Sequence, residues 1–218
     1  MKNSHHQPSH QTGMLTFATN LPNICSLAGL LCALLGIYYA ISGNFPAAII
    51  GMIWAVVFDW GDGIIARQMK GRTDEQRAFG AQLDSLIDMV SFGVLPAVLL
   101  LSYGEFSPWF LCGAYVIIAV SAIRLSYFNV FGLVDESTYM GFALDNNVLI
   151  LALVFLLDGV FSKTVFSILI FVVCMCTAAL NVAPIRTPKF TGKWFYVLIL
   201  YVIGLTAIYS WILWSKFQ

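Results

Sequence analysis

Seven long apolar runs dominate this chain, at about residues 23–42, 46–66, 81–103, 108–130, 143–161, 164–183 and 195–214. Each is long enough to cross a bilayer as a helix, for which about 20 apolar residues suffice. None shows the alternation of a membrane barrel strand, and an α-helix satisfies its backbone in lipid from within its own segment. The expected fold is an all-α integral membrane protein with about seven transmembrane helices. Composition agrees, since the 218 residues are 60% hydrophobic and only 10% charged, with a mean hydropathy of +0.85. A soluble domain carries about 25% charged residues. Seven crossings consume about 140 residues, so residues 21–218 are expected to form one polytopic domain with no separate soluble one.

Residues 1–20 are polar and rich in His, Gln, Ser and Asn. They show neither the basic start nor the small-residue cleavage site of a signal peptide, and are expected to be a flexible or interfacial tail. With the N-terminus in the cytoplasm, Lys2, Arg67, Lys70, Arg72, Arg77, Arg124, Arg186, Lys189 and Lys193 fall at or near the inside, against Lys163 and Lys216 outside. That asymmetry orients the chain. An odd number of spans then places the C-terminus outside.

Several functions are excluded by what the chain lacks. Eleven Lys and Arg balance eleven Asp and Glu, whereas nucleic-acid binding wants a basic surface. Cys25, Cys32, Cys112, Cys174 and Cys176 lie within apolar runs, without disulfide or zinc-site spacing, and are expected to pack. His5, His6 and His10 all sit in the tail, so proton transfer in the body of the protein falls to another residue type, and carboxylates are the natural choice.

Asp74, Glu75, Glu105, Asp135, Glu136 and Asp158 fall in expected loops or near helix ends, but Asp59, Asp62, Asp84, Asp88 and Asp145 lie within or at the cytoplasmic ends of apolar runs. A carboxylate at the centre of a membrane helix costs roughly 2.5 to 3.5 kcal/mol, so four cost about 10 to 14 before allowance for interfacial depth. Asp59 and Asp62 are three residues apart, Asp84 and Asp88 four apart, so each pair projects from one helix face. A basic loop joins the two runs as antiparallel neighbours, which lets the four carboxylates converge. Such oxygens favour hard divalent cations; the simpler reading pairs them with Arg67 or Arg77. Gly61, Gly63 and Ala66, with Gly80 on the partner helix, leave a face free of bulk, either for close approach of a ligand or for helix packing. Trp60 is placed on another face of its helix.

The stretch Asp59-Trp60-Gly61-Asp62-Gly63-Ile64-Ile65-Ala66-Arg67, followed by Gly80, Asp84 and Asp88, resembles the signature of the CDP-alcohol phosphotransferase family, D-x-x-D-G-x-x-A-R then G-x-x-x-D-x-x-x-D. All eight fixed positions match in order. The gap Gln68 to Phe79 is longer than is usual in the family. Leu83 to Leu86 and Asp88 to Ala97 resemble its serine-using branch, as do Leu21-Pro22-Asn23, Arg124 to Asn129 and Asn181 to Phe190 more loosely. Gly141 to Asn147 departs from that branch, which usually has Gly-Leu-Pro there.

The resemblance implies a six-helix core plus one C-terminal helix. It also implies transfer of a phosphatidyl group from CDP-diacylglycerol to a small alcohol, serine above others, with release of CMP. Glycerol phosphate, inositol phosphate and choline are the rival acceptors. On this resemblance Asp59, Asp62, Asp84 and Asp88 hold two divalent cations, Mg²⁺ or Mn²⁺, and Asp88 is also the base on the acceptor hydroxyl. Gly63, Ala66, Arg67 and Gly80 line the CDP-lipid site. The implied setting is an inner membrane, with membrane lipids as partners, the active site facing the cytoplasm, and room for a homodimer.

Arg124 either snorkels from a helix end or binds a phosphate or the serine carboxylate, and is the expected cationic partner of Asp88. Arg186, Lys189 and Lys193 serve topology or anionic head groups. Asp145, Asn146 and Asn147 contact the acceptor or cap the fifth helix. A transporter would also carry intramembrane carboxylates, but these gather at one depth and the two halves show no repeat.

Overall fold

A computed structural model describes residues 13–135, 138–188 and 192–215. Lys2, the three histidines, Glu136, Lys189 and Lys216 lie outside the described residues. Six helices have the length and hydropathy of a membrane span: α2 (Leu21–Ile41), α3 (Phe45–Gln68), the continuous rod Asp74–Tyr103, α6 (Pro108–Phe131), α8 (Lys163–Val182) and α9 (Trp194–Ser215). A short helix α1 (Met14–Ala18) precedes them, and Phe17 stacks on Phe79 at 5.4 Å between ring centroids.

The rod is longer than the apolar run that announced it. It opens on a capping box in which Thr73 and Gln76 each satisfy the other's backbone N–H. At 30 residues it is about 45 Å long, so its charged first turns extend beyond the hydrocarbon. Its α-helical part α4 (Asp74–Asp88) gives way to a π-helical turn at Met89–Val94 and then to α5 (Leu95–Tyr103). Pro96 has no N–H for the carbonyl of Phe92 and its ring crowds that carbonyl, so the chain widens here. Gly93 allows the widened turn to meet α6, where an added Cβ would lie 3.1 Å from Ser121 Cβ.

The fifth run, 143–161, forms a shorter element than expected. Helix α7 (Leu144–Val154) has 11 residues and ends in a 3₁₀ turn, Phe155–Leu157. Its α-helical part covers about 16 Å, short of the ~30 Å hydrocarbon. The start of α7 is fixed deep in the protein by the segment before it. There β1 (Thr138–Met140) pairs antiparallel with β2 (Arg186–Pro188), Tyr139 opposite Thr187, the one sheet among the described residues of a chain expected to be all-α.

Non-helical backbone at this depth must find internal partners, and it does. Gly141 N–H donates to Ile185 O at 2.8 Å, Phe142 N–H to Leu180 O at 3.0 Å, and Thr187 Oγ1 to Gly141 O at 2.5 Å. Gly141 has φ +75°, and a Cβ there would lie 2.1 Å from the carbonyl oxygen of Asn181. Gly141→Ala is therefore expected to dislodge the loop and lower the thermal midpoint of the detergent-solubilised protein by several degrees. A wild-type melting curve for that variant counts against the contact.

Helices α2 and α3 meet along small residues. Gly29, Ala33, Gly36 and Ala40 are buried on α2, and a Cβ on Gly51 would stand 2.7 Å from Cys32 O and 2.9 Å from Gly36 N. Close backbone approach of this kind supplies packing in lipid, where no hydrophobic drive joins the helices. The five cysteines are free; Cys174 is buried as expected, whereas Cys112 and Cys176 face outward. At one end of the bundle Phe45, Tyr103, Phe155 and Phe166 cluster, with Tyr103 donating to Asp158 at 2.7 Å and Lys163 paired with Glu105. The opposite end gathers the C-terminal turns of α3 and α6, the first half of the rod, and the start of α7.

Candidate active site

Carboxylate oxygens of Asp59, Asp84 and Asp88 all lie within 4.8 Å of one another. The three-residue and four-residue spacings bring them from α3 and α4 to one point. The fourth member of the motif, Asp62, is 7% exposed and accepts a hydrogen bond at Oδ2 from the hydroxyl of Ser26 on α2. Asp62 still lines the same cavity. No described Lys or Arg stands within 4.0 Å of any of the four, since the one ion pair among the described residues is Lys163 with Glu105. The simpler pairing with Arg67 or Arg77 is therefore not formed. Three carboxylates converging without a positive side chain make a donor set of hard oxygens, fitted to a divalent cation.

The cavity beside them encloses about 1080 Å³ of space, its mouth included. The four aspartates, Gly63 and Arg67 line it, together with Arg124, Phe128, Tyr139, Asp145 and Asn146. A Cβ at Gly63 would lie 3.3 Å from Nη1 of Arg67, so the bare backbone at Gly63 accommodates the guanidinium itself. Ala66 and Gly80 are not among the residues that line this cavity. Ala66 is half-buried on α3, and Gly80 faces α2, where a Cβ would meet Asn23 Oδ1 at 3.1 Å and Arg72 Nη2 at 2.7 Å.

Arg124 is 9% exposed, so it does not snorkel. Its Nε donates to Phe142 O at 2.8 Å, and its guanidinium carbon lies 5.6 Å from the centre of the Tyr139 ring and 6.0 Å from that of Phe128. That tether keeps it from ion-pair distance of Asp88, the partner expected for it. The amide of Asn181 donates to the same Phe142 carbonyl at 2.9 Å, and Asn147 donates to Asn181 at 2.7 Å. Asn147 thereby braces α7 against α8. Burial pushes the Tyr139 phenol up to about 12, so it stays neutral.

Asp145 does not occupy the N-cap of α7, which is Ala143; it stands in the first turn. Its Oδ2 accepts from the indole N–H of Trp60 at 2.8 Å. Trp60 is thus part of the cavity wall and not on an indifferent face. Sequence reasoning missed this, along with Ser26, Tyr139 and Asn181. The one available signal was a polar aromatic set between Asp59 and Gly61.

Trp60 and Asn146 also border a second, apolar cavity of about 650 Å³, open on one side between α3, α7 and α9. Leu149, Ile150, Val197 and Tyr201 line it. Tyr201 and Tyr209 hold α9 in place through hydrogen bonds to Leu149 O at 2.7 Å and Ala152 O at 2.6 Å.

Fold and site together define a polytopic membrane protein whose cation-competent carboxylates face a polar cavity beside an apolar one, the arrangement of a membrane enzyme with an amphipathic substrate. The chain belongs to the CDP-alcohol phosphatidyltransferase family, whose model matches residues 19–217. It is similar to a CDP-diacylglycerol–serine O-phosphatidyltransferase of Helicobacter pylori, 27% identical over 86% of this chain and 81% of that one. An archaetidylserine synthase of Methanothermobacter thermautotrophicus is 40% identical over 50% of this chain and 47% of its own length. A CDP-diacylglycerol–serine O-phosphatidyltransferase of Methanocaldococcus jannaschii is 32% identical over 65% and 63% respectively.

Proposed function

We propose that this protein transfers the phosphatidyl group of CDP-diacylglycerol to the primary hydroxyl of L-serine and releases CMP. The convergence of Asp59, Asp84 and Asp88 within 4.8 Å at the wall of the polar cavity carries the reading. Similarity to serine phosphatidyltransferases over most of the chain supports the acceptor.

Asp59, Asp84 and Asp88 would hold Mg²⁺ or Mn²⁺, with Asp62 completing a site for two. Such cations neutralise a pyrophosphate and stabilise attacking and leaving oxygens. Arg67, lying over the bare backbone of Gly63, binds the charged head of the CDP-lipid. The diacylglycerol tails remain among lipid, and the apolar cavity bordered by Trp60 offers them a route to the polar one. Asp88 takes the proton of the serine hydroxyl as its oxygen attacks the phosphorus that carries the diacylglycerol. The new P–O bond forms as the bond from that phosphorus to CMP breaks, and CMP leaves with the electron pair. Arg124 receives the serine carboxylate.

In this reading the site faces the cytoplasm of an inner membrane, because Arg67, Lys70, Arg72 and Arg77 flank it while Lys163 lies at the far end. A homodimer is compatible with it, and each copy contains a whole site.

Purified protein given CDP-diacylglycerol and labelled serine is expected to form phosphatidylserine and CMP in equal amounts. Ready transfer to inositol phosphate or glycerol phosphate with none to serine would move it to another branch of the family. Gly63→Leu is expected to weaken CDP-diacylglycerol binding by about tenfold or more, since its side chain displaces Arg67; binding at the wild-type level would refute that placement.

A further inference from the structure

Resting on the reading above, we infer that Asp145, held by the indole of Trp60, is the subsite for the α-ammonium of the acceptor, so that the cavity selects a zwitterionic amino acid over other alcohols. Asp145, from the first turn of α7, and Arg124, from the C-terminal third of α6, both line the cavity, and each is fixed by a different neighbour. Arg124 is tied through Nε to Phe142 O at 2.8 Å; Asp145 accepts from Trp60 Nε1 at 2.8 Å. One charge of each sign, both held before any acceptor arrives, matches a molecule with a carboxylate and an ammonium on one carbon.

The indole is the reason to assign a cation to Asp145. It is a neutral donor, so it orients the carboxylate without forming an ion pair with it, in a cavity that already holds four other carboxylates. No described Lys or Arg comes within 4.0 Å of it. Nor does Asp145 belong to the group of three whose oxygens meet within 4.8 Å. A half-buried carboxylate of this kind gains most from a ligand that brings its own positive charge. Glycerol phosphate and inositol phosphate are anions without an ammonium and are disfavoured by the same charge. Choline and ethanolamine satisfy Asp145 but leave Arg124 without its anion.

The test compares serine with 3-hydroxypropionate, which keeps the primary hydroxyl and the carboxylate and lacks only the ammonium. Wild-type protein in CDP-diacylglycerol micelles is expected to prefer serine in kcat/KM by about a hundredfold, as a site built around a polar group rejects an analogue lacking it. Asp145→Asn keeps an acceptor for the indole and removes the charge. It should lower that preference by about tenfold or more, chiefly through a higher KM for serine. Trp60→Phe should lower it by a smaller factor. If the wild-type protein takes both acceptors equally, or if Asp145→Asn reduces both in proportion, the ammonium subsite is wrong. Equal use of both acceptors by the wild-type protein overturns the subsite even where a variant fails to fold. The stabilisation of the protein by Mn²⁺, followed by thermal denaturation without turnover, should survive Asp145→Asn; its loss would make Asp145 a metal ligand and overturn the assignment. Absence of CMP release from the wild-type protein with every acceptor is a different failure, that of the transfer reaction itself.

Discussion

Asp84→Asn is expected to lower CMP release from CDP-diacylglycerol by about a thousandfold or more, and excess EDTA should do the same to the unaltered protein. Asp84 is one of three carboxylates that meet within 4.8 Å, and its neutral amide has neither the charge nor the affinity to hold a hard cation. A cation that clamps a transferring phosphoryl group supplies several kcal/mol of stabilisation, and ~4 kcal/mol is already about a thousandfold in rate. Mg²⁺ or Mn²⁺ should restore activity to the chelated protein, and Zn²⁺ should not. A second readout needs no turnover: a cation that binds only the native protein raises its melting temperature. Mn²⁺ should do so for the wild-type protein and not for Asp84→Asn. Full turnover in EDTA would end the metal reading.

Asp88→Asn should lower kcat by roughly a hundred- to ten-thousandfold, the range that a positioned general base contributes. Asp88 closes the α-helical part of the rod, and the π-helical turn begins at the next residue. Its place in the carboxylate group means that it also touches the cation site, so the two roles must be separated. CDP-diacylglycerol binding, measured without serine, should fall far less than kcat. Equal losses in binding and in kcat would make Asp88 a ligand alone. A variant that keeps full turnover would exclude Asp88 as the base.

Much of this is legible in the amino-acid sequence alone. Apolar runs reveal membrane helices because lipid demands long uninterrupted segments, and six of the seven have the expected length. The three- and four-residue spacings of Asp59, Asp62, Asp84 and Asp88 revealed a shared face because helix geometry is local. Contacts between distant segments were not legible. Trp60 and Asp145 are 85 residues apart, and nothing in either neighbourhood names the other. Ser26 looks like one more small residue of a membrane helix, yet it holds Asp62. Arg124 looked like a partner for Asp88 because opposite charges on adjoining helices usually meet; the carbonyl of Phe142 holds it elsewhere. The shortness of α7 was hidden because Asp158 and Gly159 sit inside an apolar run, where the 3₁₀ turn at Phe155–Leu157 and the φ of +88° at Gly159 end the helix early. The crowding of Gly141 against Asn181 and the pairing of Tyr139 with Thr187, also illegible in the sequence, fix where it begins.

The glycine and alanine seam between α2 and α3 bears on how the protein answers its surroundings. Where long side chains separate two helices, rotamer changes let them slide or part as the bilayer thins or thickens. Here Gly51 lies against the backbone of Cys32 and Gly36, with no flexible spacer to yield. Mismatch with the surrounding lipid is then absorbed by tilting the two helices as one body. Ser26 and Asp62 sit on those two helices, at the end that bears the site, so their distance should hold constant between short-chain and long-chain lipids. The rod that carries Asp84 and Asp88 has no such seam with α3. Bilayer thickness should therefore be felt as relative movement of the two halves of the acidic motif, with Asp59 and Asp62 riding on one body and Asp84 and Asp88 on the other.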